Sequence, residues 1–151
     1  MHPYHDPAIE TMDRDDLDAV IDERVAATPL FQVLSKRELE LVSTLGTRLE
    51  FDPGAVLARE GARGNEFILL LDGTVEVRHD NHVVATRGAD DYIGEIALLT
   101  GSCRTATVVA TTPVTAEVIG RREFLGLVAT VHEVSARTRA TIPSRLAELA
   151  A

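Results

Sequence analysis

The sequence predicts an α+β, mainly β domain in which helices flank an antiparallel β core on both sides. Three observations predict it. Between residues 47 and 120, short runs rich in Val, Ile, Leu and Thr follow a period of two. Turn-forming residues separate these runs at regular intervals, which favours a sandwich or barrel over a parallel α/β sheet. Before and after that region the apolar period lengthens to three and four, the spacing of one helical face.

The elements follow in order. Residues 1–8, MHPYHDPA, contain Pro3 and Pro7 and read as an unstructured lead-in where His2 and His5 are solvated. From residue 9 to 27, Leu17, Val20, Ile21 and Val25 share a helical face, and Pro29 ends that helix. Ser35-Lys36-Arg37-Glu38 has the form of a capping box, so a second helix starts after Ser35, carries Leu39, Leu41, Val42 and Leu45 inward, and ends at Gly46. Strands are expected at 48–51, 56–59, 66–71, 74–79, 82–86, 105–111 and 114–119. Asp52-Pro53-Gly54, residues 61–65, Asp72-Gly73, Asp80-Asn81 and Thr112-Pro113 supply the turns between them. From Arg121 helical spacing returns through Phe124, Leu127, Val128 and Val131 and continues to Leu149. No internal repeat or low-complexity tract interrupts this order.

Composition restricts the function classes. The 151 residues suit one core and are too few for two well-packed ones. Fifteen Lys and Arg against 24 Asp and Glu give a net charge of −9, which repels phosphate backbones and anionic lipid, so neither nucleic acid nor membrane is expected as a partner. The single cysteine, Cys103, rules out an intramolecular disulfide and suits a reducing, cytoplasmic setting. No apolar run is long enough for a bilayer, and the start of the chain is acidic where a secretory signal would be basic.

The stretch GEIALLTGSCRTAT, residues 94–107, carries the chemistry. Glu95-Ile96-Ala97-Leu98-Leu99 suffices for about one helical turn, whose N-terminus offers unpaired N–H groups to an anion, and Gly94 lets a ligand approach the backbone. Glu95 would repel that anion unless it holds a hydroxyl, and Arg104, nine residues on, neutralises the charge. A nucleoside 3′,5′-cyclic monophosphate has one anionic centre and one free hydroxyl, the 2′-hydroxyl. One arginine then serves without a metal.

These residues resemble the phosphate-binding cassette of cyclic nucleotide-binding domains, the family that includes catabolite activator proteins and protein kinase A regulatory subunits. The family pattern Phe-Gly-Glu-Leu-Ala-Leu is matched by Ile93-Gly94-Glu95-Ile96-Ala97-Leu98, and Pro-Arg-Ala-Ala-Thr by Cys103-Arg104-Thr105-Ala106-Thr107. A helical Pro-Leu-Phe-x-x-Leu segment is matched by residues 29–34, and glycine-marked turns by Gly54, Gly61, Gly64 and Gly73. The resemblance implies an antiparallel β-roll, jelly-roll-like, at 47–120, helices at 9–46 and 121–150, and one cyclic nucleotide-binding domain over 9–151. It implies that Glu95 accepts from the ribose 2′-hydroxyl, that Arg104 contacts the phosphate, and that N–H groups near Ala97 and Ala106 complete the cradle. Thr105 stands where a hydroxylated residue touches phosphate or a guanine amino group, which keeps cyclic GMP beside cyclic AMP. Val77 and Val84 are candidates for purine or ribose contact. Cys103 in place of proline loosens the loop, and Pro143 falls where related domains continue unbroken into an Arg-Leu pair, here Arg145-Leu146, at a cost of about 3 kcal/mol for an interior proline. Thr138, Arg139 and Ile142 lie in the region expected to cover the base.

The reading is therefore a regulatory cyclic nucleotide receptor, not an enzyme, with no cofactor, whose C-terminal helices relay binding, with Gly126 as a hinge, to an unidentified effector or a second copy. Two alternatives stand beside it. A cupin-like β-roll metalloenzyme would need clustered ligands, and His2, His5, His79, His82 and His132 lack cupin spacing; His79-x-x-His82 reads as a solvated hairpin tip. A family member without ligand binding is opposed by the presence of both Glu95 and Arg104.

Overall fold

The computed structural model describes residues 21–150, and the lead-in at 1–8 and most of the first expected helix lie outside them. The described chain runs α1 (Glu23–Ala26), α2 (Lys36–Leu45), β1 (Gly46–Phe51), β2 (Val56–Ala58), β3 (Glu66–Asp72), β4 (Val75–His79), β5 (His82–Arg87), β6 (Tyr92–Ile93), α3 (Glu95–Thr100), β7 (Thr107–Ala110), β8 (Val114–Gly120), α4 (Arg121–Thr130), α5 (His132–Ala140) and α6 (Ile142–Leu149). The strands form two four-stranded sheets, ordered β1-β8-β3-β6 and β2-β7-β4-β5, with every pair antiparallel. This is the expected β-roll with helices before and after it.

Local rules explain most boundaries. Asp22 caps α1, its carboxylate accepting from the N–H groups of Arg24 and Val25. Ser35 and Glu38 form the anticipated reciprocal capping box at α2. Asp80 and Asn81, at φ 50° and 67°, make the two-residue hairpin turn between β4 and β5 that the strand twist requires. In α2 the expected inward set is corrected at one position: Val42 is buried and Leu39 and Leu45 pack on the core, whereas Leu41 is exposed.

β3 shows how one strand organises two cores. Its run Phe67-Ile68-Leu69-Leu70-Leu71 is buried throughout. Phe67, Leu69 and Leu71 face the helices together with Val25, Phe31, Val42, Phe124, Leu127 and Val134. Ile68 and Leu70 face the other sheet together with Val75, Val77, Val108 and Ala116. Phe67 stacks on Phe124 with centroids 4.4 Å apart, which seats α4 against the sheet. Successive strand side chains point to opposite faces, so a strand covered on both sides must read as a continuous apolar run.

Three sequence expectations are corrected here. A two-residue strand, β6, precedes the cassette and pairs with β3 at Ile68 and Leu69; two residues are too short to show a period. The strand expected at 105–111 begins only at Thr107, since Thr105 and Ala106 belong to the turn after Arg104. The C-terminal segment is three helices, and Pro143 lies in the first turn of α6, where its missing N–H leaves no helical bond unmade. Its expected cost therefore does not arise. The breaks fall at Val131 and Thr141, while Gly126 lies inside α4.

Candidate functional site

β6 leads directly into Gly94, which stands at φ 98° and turns the chain into α3. A side chain here would be excluded twice, because a Cβ would lie 2.4 Å from Arg104 Nη1 and 2.6 Å from the Glu66 carbonyl oxygen. α3 then buries Glu95, Ile96, Ala97 and Leu98. Arg104 is held at main-chain level: its N–H donates to the Ala62 carbonyl at 2.7 Å, and its own carbonyl accepts from Gly61 N–H at 2.9 Å. His79 braces the next residue, its Nδ1 lying 3.0 Å from the Thr105 carbonyl oxygen. The same nitrogen is 3.2 Å from Glu60 Oε1, so Glu60, His79 and Asp80 gather behind the loop, and His82 is not among them.

These elements wall a cleft with about 550 Å³ of empty space, the open solvent at its mouth included. All nine sequence-predicted residues, Val77, Val84, Gly94, Glu95, Ile96, Ala97, Arg104, Thr105 and Ala106, line it. Arg104 Nη2 donates to the Glu66 carbonyl at 2.9 Å and lies 3.3 Å from Glu66 Oε2. Its Nη1 is buried and has no protein partner. Burial pulls the Arg104 pKa down, and Glu66 offsets this only in part, so the guanidinium is short of negative charge.

Glu95 is answered by a residue that the sequence reading did not place in the site. Arg145, on α6, donates through Nη1 to Glu95 Oε1 at 2.7 Å and to the Tyr92 carbonyl at 2.7 Å. Its Nη2 donates to Asp91 Oδ1 at 2.6 Å, and its guanidinium lies over the Tyr92 ring, 4.5 Å from the centroid. Burial pushes the Glu95 carboxyl above its usual range despite Arg145. For Arg145, burial lowers the pKa, but Glu95 and Asp91 outweigh it and leave it raised.

α6 also brings Glu148 and Leu149 to the cleft, and Arg87 of β5 donates to both Glu148 oxygens. The spacing 145, 148, 149 places the three side chains on one helical face, a signal present in the sequence. Nothing local ties that face to Glu95 or to Arg87. The residues expected over the base are corrected: Thr138 is buried with its hydroxyl donating to Val134, Arg139 is exposed, and neither these two nor Ile142 lines the cleft.

The β-roll cleft thus joins a guanidinium with an unpartnered nitrogen, a buried carboxylate and apolar walls, a set of groups that suits a small ligand with one anionic centre and a hydroxyl. The chain belongs to the cyclic nucleotide-binding domain family, whose sequence model matches residues 48–131. It is 36% identical over 122 residues to a cyclic nucleotide-gated potassium channel of Rhizobium etli, covering 80% of this chain and 34% of that protein. It is 31% identical over 113 residues to a cAMP-dependent protein kinase regulatory subunit of Colletotrichum orbiculare, covering 74% of this chain and 29% of that one. The chain thus spans about a third of the length of these curated relatives. Its fold matches a solved structure of Sp-2Cl-cAMPS bound to PKAR CBD2 with a TM-score of 0.75 at 24% identity, covering 88% of this chain and 91% of the other. Among the described residues, no helix is long and apolar enough to cross a membrane.

Proposed function

We propose that the cleft binds cyclic AMP, with cyclic GMP as the second ligand, and that the chain works as a regulatory module with no catalytic step of its own. The observation that carries this reading is the buried, unpartnered Arg104 Nη1 in the same cleft as Glu95. A phosphodiester supplies the missing acceptors, and Glu95 takes the one free ribose hydroxyl. The N–H groups of Ala97 and Ala106 complete the phosphate cradle, with Gly94, Ile96 and Thr105 around it, and Val77 and Val84 flank the base or ribose. Family membership supports the same assignment, as do the names of the relatives, a cyclic nucleotide-gated channel and a cAMP-dependent kinase subunit.

The output runs through α6. Glu95 is shared between the ribose and Arg145, so occupancy of the cleft changes how α6 is seated, and ligand favours one of two packings of the C-terminal helices. The partner that reads this is an effector protein or a second copy of the chain, in the cytoplasm, and residues 9–151 form the binding domain. Titration calorimetry with cyclic AMP, cyclic GMP and linear 5′-AMP tests the assignment. Both cyclic nucleotides are expected to bind and the linear one, with its second charge, to bind far more weakly. Equal binding of the linear nucleotide refutes the pocket assignment.

A further inference from the structure

A second cluster of chemistry-bearing side chains lies outside the cleft, at the tip of the β4–β5 hairpin. Glu60, His79 and Asp80 each present one ligand atom there, all within 4.8 Å of one another, and none of the three lines the cleft. Glu60 follows β2, His79 ends β4, and Asp80, at φ 50°, starts the turn. The Asp80 N–H donates to Glu60 Oε1 at 3.3 Å, which ties the loop after β2 to the hairpin.

Two balances in this cluster do not close. The first is charge: among the described residues no lysine or arginine forms an ion pair with Glu60 or Asp80, and the imidazole beside them supplies at most one positive charge against two carboxylates. The second is hydrogen bonding. The Thr105 carbonyl oxygen and Glu60 Oε1 lie 3.0 Å and 3.2 Å from His79 Nδ1, and Asp80 Oδ2 lies 3.5 Å from Nε2, so the ring is surrounded by oxygen acceptors. An imidazole with one ring proton satisfies acceptors at one nitrogen only, and the other turns a lone pair towards oxygen. With the proton on Nδ1 to serve Thr105, Nε2 and the two carboxylates together call for a cation.

We infer that Glu60, His79 and Asp80 form a site for one divalent transition-metal ion of the zinc class, and that the ion stiffens the phosphate loop through His79. One imidazole with two carboxylates suits Zn²⁺, Co²⁺ or Ni²⁺, whereas Mg²⁺ and Ca²⁺ favour shells of oxygen alone. A tetrahedral zinc ion with bonds of about 2.0–2.2 Å holds its ligand atoms about 3.3–3.6 Å apart. The separation of 3.5 Å between Asp80 Oδ2 and His79 Nε2 already has that value, and the Glu60 side chain, 33% exposed, closes the remainder by turning about its own bonds. With Nε2 on the metal, Nδ1–H donates to the Thr105 carbonyl, the kind of outer hydrogen bond that fixes the tautomer and orientation of a metal-bound imidazole. Thr105 follows Arg104 and lines the cleft, so the ion and a ligand in the cleft act on the same loop. The metal site stands on its own geometry; its effect on the cleft rests on the cyclic nucleotide reading.

The test uses the full chain, stripped of metal with a chelator and titrated calorimetrically with Zn²⁺ and, for comparison, Mg²⁺. One Zn²⁺ per chain is expected to bind and raise the melting temperature, and Mg²⁺ at the same concentration to do neither. Asp80→Asn keeps a residue that tolerates positive φ, and Glu60→Gln keeps the side-chain length; each should weaken Zn²⁺ at least tenfold. His79→Asn, which keeps an amide donor for Thr105, should abolish the site. Cyclic AMP is then titrated with and without Zn²⁺. The metal should tighten it about fivefold or more in the wild type, cyclic AMP should tighten Zn²⁺ by the same factor, and Asp80→Asn should show no such coupling. Absence of Zn²⁺ binding, or equal binding by the wild type and all three variants, overturns the site. Zinc binding that leaves cyclic AMP affinity unchanged overturns the stiffening of the loop. Failure of cyclic AMP to bind under either condition overturns the cleft reading instead, and the zinc titrations and melts decide the metal site without it.

Discussion

Replacing Arg104 with methionine separates a binding role from a structural one. The side chain is 5% exposed; Nη2 is committed to Glu66, and Nη1 carries two hydrogens with no acceptor. Two charge-assisted bonds to a phosphate are therefore available only when ligand is present, and leaving a buried anion unpaired costs about 2–5 kcal/mol. At about 1.4 kcal/mol per tenfold, the dissociation constant for cyclic AMP should rise roughly thirtyfold to several thousandfold. The ligand-free protein should respond differently. Methionine keeps the apolar stem, and removing an unsatisfied buried donor recovers about 1–3 kcal/mol, which offsets the loss of the Glu66 contacts. Its melting temperature should stay within about 4 °C of wild type, the shift produced by about 1 kcal/mol in a chain of this size. Calorimetric titration gives the first quantity and a thermal melt the second. Unchanged affinity refutes the assignment of Arg104 to the anion. A large drop in melting temperature shows instead that Arg104 is a structural post for Glu66.

Gly94→Ala places a Cβ at φ 98° against Arg104 Nη1 and the Glu66 carbonyl, so it should cost about 1–3 kcal/mol in backbone strain and displace the guanidinium; chemical denaturation and titration should show both losses together. The Glu95 carboxyl is raised chiefly by burial, so between its unfolded and folded pKa values the native state holds more protons than the unfolded state. That stability is present in full below the ordinary glutamate range and is lost as pH rises through the raised value. Glu95→Gln should flatten this fall in melts recorded against pH, and Glu117, likewise raised by burial, accounts for what remains. A wild-type profile that rises across the same window contradicts the assignment.

Much of this was legible because it is local. The capping box at Ser35, the Asp80-Asn81 turn and the period of two in β4 and β8 depend on neighbours within a few residues, and each lies where its chemistry puts it. The cassette was legible for the same reason: Gly94, Glu95 and Arg104 are close in sequence, and all three line one cleft. β6 escaped because two residues carry no period, and the points at which the C-terminal helices divide escaped because no glycine or proline marks the break at Val131, although Pro143 follows the break at Thr141. Leu41 has the apolar character of a core residue and is still exposed among the described residues.

By itself the sequence determined which residues of the 94–107 stretch line the cleft, because a glycine, a carboxylate and a guanidinium at that spacing leave few chemistries open. Only the tertiary structure decided what completes them. Arg145 meets Glu95 across fifty positions, and Arg87 meets Glu148 across sixty-one. The physical reason is that α6 takes its place through these ion pairs and the packing of Leu149 on the core of the roll, contacts whose partners are chosen by the folding of the β-roll and not by anything adjacent in the chain.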